Sequence, residues 1–136
     1  MPQIQNAKLA INHIKEKSLS ECTVACRIHF FPDELALIKE LPQMKFKLKC
    51  ELWGSEDGEF LKGKDDKLWV FESVLPFPDS TPTEYESARF FVVLGDDKLN
   101  EDTGFKPQDE IYSKLILTHK LFPKVVRKTN VVKDYF

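Results

Sequence analysis

No run of apolar residues in this sequence approaches the roughly 20 that a membrane-spanning helix requires. A secretory signal is not expected either, because the first residues reach charge before any apolar run forms. Both features set a cytoplasmic expectation, with no membrane partner. Cysteine is scarce, with three in the chain. An odd number does not make the even disulfide framework of a small secreted domain. Two of the three would pair only if adjacent, and buried free thiols suit a reducing compartment better. Glycine is also low at five, few for a β-rich chain whose turns often need positive φ, although eight prolines supply much of that punctuation. An excess of either charge is missing, since 20 Lys and Arg face 22 Asp and Glu for a net charge of −2. That balance lacks the basic surplus of many nucleic-acid binders and argues against such a partner.

Signatures of catalysis are missing as well. There is no Gly-x-Ser-x-Gly elbow, no phosphate-binding loop and no dinucleotide fingerprint. His13, His29 and His119 are scattered, and none stands in a spacing that favours zinc. Cys26 with His29, or Cys50 with His119, are the only nucleophile pairs to weigh. The cysteines are expected to point inward among apolar neighbours, whereas reactive thiols need electropositive, partly exposed surroundings. No catalytic residue is assigned, and an enzyme is not expected.

What is present speaks for strands. Hydrophobic residues at 42% and charged residues at 31% are ordinary globular values, and 136 residues suit one domain. Eleven phenylalanines favour strands and cores. The stretch 44–54 sets the pattern. Met44, Phe46, Leu48, Cys50 and Leu52 alternate with Lys45, Lys47, Lys49, Glu51 and Trp53. A period of two sends the first set into a core and the second outward. Residues 21–31 repeat the pattern with Cys22, Val24, Cys26, Ile28 and Phe30 inside. Further strands are expected over 67–75, 87–94, 111–118 and 125–132, with Pro123 separating the last two. The strands at 67–75 and 87–94 are apolar on both sides, which predicts either burial on two faces or an interface.

Residues 4–16 are less settled. Ile4, Ala7, Ile11 and Ile14 recur at helical spacing, which favours a short N-terminal helix over a first strand through Leu9–Ile14. Residues 33–40 read as one or two helical turns with Leu35 and Ile38 inward. The segment 75–87, with its three prolines, reads as an irregular crossing, and 95–110 as a long acidic loop. Six or seven short strands separated by polar loops predict an antiparallel β-sandwich of Ig-like or C2-like architecture.

Two acidic loops are the sharpest chemical candidates. Asp96, Asp97, Asn100, Glu101 and Asp102 offer oxygens for a hard cation such as Ca²⁺, though their spacing is not that of an EF-hand. The simpler reading is a solvated turn whose side chains cap local N–H groups. Glu56, Asp57, Asp65 and Asp66, with Trp53 at the strand exit, form a candidate binding surface. Lys45, Lys47 and Lys49 make a cationic stripe, better explained as protection of an exposed strand than as a phosphate track. Trp69 and Phe91 are expected in the core. A sheet with more apolar faces than one chain can cover should self-associate, most simply as a homodimer through a sheet face. The functional expectation is a non-catalytic protein-interaction module. The alternative is a Ca²⁺ or carbohydrate binder at the loop end.

Overall fold

The structure, a computed structural model, describes residues 1–54, 66–71, 75–77, 83–99, 109–134 and 136. In chain order the elements are β1 (Gln3–Ile14), a 3₁₀ turn (Lys15–Lys17), β2 (Leu19–His29), α1 (Pro32–Glu40), β3 (Phe46–Gly54), β4 (Asp66–Val70), β5 (Leu75–Phe77), β6 (Tyr85–Gly95), α2 (Asp96–Leu99), β7 (Asp109–His119), β8 (Phe122–Lys128) and β9 (Val132–Asp134). They build two antiparallel sheets. The smaller runs β1–β2–β6 and the larger β4–β3–β7–β8, with β5 also on β3 and β9 also on β7. The architecture is the sandwich that the alternating segments predict. Among the described residues no helix is long and apolar enough to cross a membrane.

The inward half of the alternation in β3 is realised as written, whereas Glu51, expected outside, is buried beneath Lys49, Lys67 and Trp53. Phe46, Leu48, Cys50 and Leu52 are buried against Val24, Ile28 and Phe30 of the facing sheet's core cluster and against Ile111, Leu115 and Leu117 of β7. Each such side chain contributes about 1.5–3 kcal/mol on leaving water. The register pairs Cys50 with Leu115 and Leu52 with Ser113. Beneath that pair, the Ser113 hydroxyl donates to the Glu51 carbonyl at 2.9 Å and accepts from the Cys50 thiol at 3.2 Å. The Ser113 N–H in turn donates to Thr129 Oγ1 at 2.8 Å. Every polar group that Ser113 brings into the core is thereby answered.

Residues 4–16 are not a helix. They form β1 and its exit, and a bulge explains why their spacing imitates one. Ile4 pairs with Ile28 and Leu9 with Val24, with a register shift between Gln5 and Lys8. Asn6 sits there in the left-handed region at φ 54°. An extra residue in one strand flips the phase of all that follow. Ile4 and Ala7 therefore both face the core, and Leu9 and Ile11 follow at intervals of two. Asparagine is among the few side chains that accept this backbone conformation readily.

Other boundaries move for comparable reasons. The segment 67–75 is not one strand: β4 ends at Val70 and β5 begins at Leu75, both on β3. A register shift opposite Leu52 and Trp53 lets both Leu68 and Trp69 pack on the core while Val70 turns outward. The proline-rich crossing contains β5, whose Pro76 stands opposite Lys47. Pro123 does not break a strand but lies inside β8, an edge strand where a missing N–H is tolerated. The segment 125–132 divides into the end of β8 and the start of β9. Helix α1 starts at Pro32 and is capped by Glu34, whose Oε1 accepts from the Phe31 N–H at 2.7 Å. Ile38 of α1 is buried and Leu35 packs against the core.

Candidate interaction surface

Phe91 is not a core residue. On β6 the even-numbered Phe90 and Leu94 are buried, whereas Phe91 and Val93 are 52% and 48% exposed, with Tyr85 at 46%. The register sets Phe91 opposite Thr23, and Thr23 opposite Ala10; Arg89 faces Ala25 in the same way. The small Thr23 and Ala10 thus leave the Phe91 ring standing proud of the outer face, and Val93, opposite Glu21, is exposed two residues further on. Because β6 is the last strand of its sheet, this apolar strip lies along an open edge. The Phe30 N–H donates to the Glu84 carbonyl at 2.8 Å. Alternation along an antiparallel ladder then turns the peptide groups of Ser87, Arg89, Phe91 and Val93 away from β2. The strip therefore combines exposed apolar side chains with backbone donors and acceptors that have no partner among the described residues.

The loop-end candidates are only partly gathered. Asp96 and Asp97 begin the single turn α2, anchored by the buried Leu99. A Cβ on Gly95 would stand 2.5 Å from Asp97 Oδ1, the mobile tip of a side chain that a small rotation would move aside. Asp96 Oδ2 lies 3.0 Å from His13 Nε2, and Asp134 Oδ2 lies 3.6 Å from His13 Nδ1. Asp96 is thus tied to a histidine on β1 rather than to the other acids. Among the described residues no group of three or more His, Cys, Asp or Glu is arranged to hold a metal ion. Asn100, Glu101, Asp102, Glu56, Asp57 and Asp65 lie outside the described residues. Asp66 is the exposed first residue of β4, opposite Gly54.

Trp53 is partly buried in a lattice of charge. Lys114 Nζ lies 4.2 Å and Lys67 Nζ 5.5 Å from its ring centroid, and its Nε1–H donates to Glu51 at 3.2 Å. Glu51 also meets Lys67 Nζ at 3.1 Å and Lys49 Nζ at 3.2 Å. Burial disfavours its charged form, but hydrogen bonds from Lys67, Lys49 and Trp53 outweigh that and hold its carboxyl below the usual range. Lys128 Nζ sits 5.1 Å from the Tyr112 ring. Of the lysine stripe Lys45, Lys47 and Lys49, Lys49 is engaged within the face through Glu51.

The cysteines are buried and free. Burial pushes the thiols of Cys22 and Cys26 up to about 11 and that of Cys50 to about 12. Cys26 faces the core and His29 the other side of β2, where His29 stacks on Tyr85 at 4.7 Å and meets Glu84 at 3.1 Å. His119 Nδ1 accepts from the Leu121 N–H at 3.0 Å, so Nε2–H donates to the Met44 carbonyl, also at 3.0 Å. Neither histidine addresses a thiol.

No protein-family profile matches this chain. No curated protein matches it either. Among solved structures, the X-ray structure of Northeast Structural Genomics Consortium target SoR45 is similar at a TM-score of 0.44 and 11% identity, over 97% of this chain and 84% of that one. A likeness of that degree transfers neither function nor site.

Proposed function

We propose that the protein is a non-catalytic interaction module that self-associates through β6. The observation that carries this is the coincidence of Phe91 and Val93, both about half exposed, with the edge of their own strand, which is unpaired among the described residues. An open edge bearing apolar side chains is a template for another strand unless something covers it. A second copy is the simplest cover. Antiparallel pairing of β6 with its twofold mate would join two three-stranded sheets and close both edges at once. Burying the half of Phe91 and Val93 that is still exposed would supply about 1 kcal/mol per side chain. We place the protein in the cytoplasm on the strength of its three buried, unpaired thiols.

Light scattering at tens of micromolar tests this. The expected result is a dimer for the parent protein and a monomer of unchanged fold for Phe91→Lys. A parent protein that stays monomeric there would overturn the proposal.

A further inference from the structure

A second open edge lies across the molecule, and it borders a cavity. Between the start of β1 and the far side of β8 is a groove of about 650 Å³, lined by Gln3, Gln5, Asn6, Arg27, Val125 and Arg127 among others. That volume lies within the range of ordinary ligand sites. Among the described residues both strands are at sheet margins, so the groove runs along two sheet edges. The bulge at Asn6 helps to shape it.

Just beyond the groove, β1 already accepts a substitute for a strand. The Leu9 N–H donates to Asn130 Oδ1 at 2.8 Å, and Asn130 Nδ2 donates to the Leu9 carbonyl at 3.0 Å. A carboxamide thus does at Leu9 what a neighbouring peptide unit would do. By the register of β1 on β2, the Ile4 peptide groups point to the same open side. Among the described residues no comparable partner meets them.

The charge of the groove is one-sided. Arg127 stands opposite Leu115, a core residue, so it projects from the inner face of β8 toward β1. Arg127 has no ion-pair partner among the described residues. Arg27 donates to Gln5 Oε1 at 3.0 Å and lies 4.6 Å from the Tyr85 ring centroid, which fixes its guanidinium. Its Nε is buried and has no hydrogen-bond partner among the described residues. Among the described residues no acidic side chain lines the groove.

We propose that this groove takes an extended peptide bearing a carboxylate. The peptide adds as a strand along β1, and its carboxylate is held by Arg27 and Arg127. Backbone pairing supplies the general affinity, and the two guanidinium groups select an acidic side chain or chain end. The competing explanation of Arg127 is that an inward-pointing charge keeps other strands off this edge. The two explanations predict opposite outcomes, and neither depends on β6.

Amide chemical shifts of the full chain, titrated with capped peptides of alternating Val and Glu or alternating Val and Gln, decide between them. The expected result is saturable movement of amides within 3–6 and 125–127 with the Glu peptide, and weaker binding of the Gln peptide. Arg127→Gln should weaken the Glu peptide by about tenfold or more, the scale of one charge-assisted hydrogen bond, with Arg127→Lys intermediate. Arg127 is exposed, so the dispersion of the remaining amides verifies that both variants fold. N-methylation of alternate peptide amides should abolish binding. No movement at these amides with about 1 mM Glu peptide, a weak-binding limit, would overturn the proposal. So would an affinity that Arg127→Gln leaves unchanged.

Discussion

Glu51 shows how one carboxylate organises a face. It is 3% exposed, yet it is reached by two lysines and an indole N–H. Its folded pKa lies below the ordinary value of 4.5, so the charged form favours the folded state. That contribution is fully present above 4.5 and is lost as pH falls through the lower folded value. Glu51→Gln should therefore cost about 1 kcal/mol at neutral pH, a modest figure because both lysines are partly solvated. Urea unfolding of parent and variant should show the difference shrinking well below pH 4.5. A constant difference across that range would mean the carboxylate's charge is irrelevant. The cysteines make a simpler test. With thiols raised to about 11 and 12, none should react with a thiol reagent in the native state at neutral pH, and all three should react in denaturant. Their inward positions were legible in the sequence, because Cys22, Cys26 and Cys50 share parity with neighbouring apolar residues.

At the level of elements, legibility followed the strictness of the alternation. Strands β2, β3, β6 and β7 keep a period of two along their length, and each was visible in the sequence to within a few residues. Strand β1 was not, because the residue added at Asn6 turns a two-residue period into a three-residue step from Ile4 to Ala7. The extra residue in β4 hid its faces in the same way. Pro76 and Pro123 look like interruptions in the sequence, whereas each sits in a short strand or an edge that tolerates proline. Asn130 gave no sequence signal at all: its partner, Leu9, is remote in the chain and is brought to it only by the stacking of the sheets. Asn130→Ala should leave the Leu9 N–H and carbonyl unanswered beside a buried side chain and cost about 2 kcal/mol. Denaturant unfolding measures that loss, and amide exchange at Leu9 should quicken with it. An unchanged midpoint would show that water replaces the asparagine without penalty.

For the whole molecule, the decisive quantity is how apolar surface divides between the core and the outer faces. The sequence carried the surplus, since 87–94 is apolar on both sides, and it carried the expectation of self-association. It did not carry which residues would remain outside. Phe91 and Phe90 are chemically identical neighbours, and only the facing sheet decides that Phe90 meets Phe71 at 5.5 Å while Phe91 meets solvent. Because Phe91 is about half exposed, Phe91→Lys should change the stability of a single chain by no more than about 0.5 kcal/mol while abolishing association. The most direct measurement is hydrogen–deuterium exchange along β6 over a dilution series. The amides of Ser87, Arg89, Phe91 and Val93 should exchange slowly in concentrated solution and quickly when dilute, while those bonded to β2 remain protected throughout. Equally fast exchange at those four positions at every concentration would contradict self-association through β6.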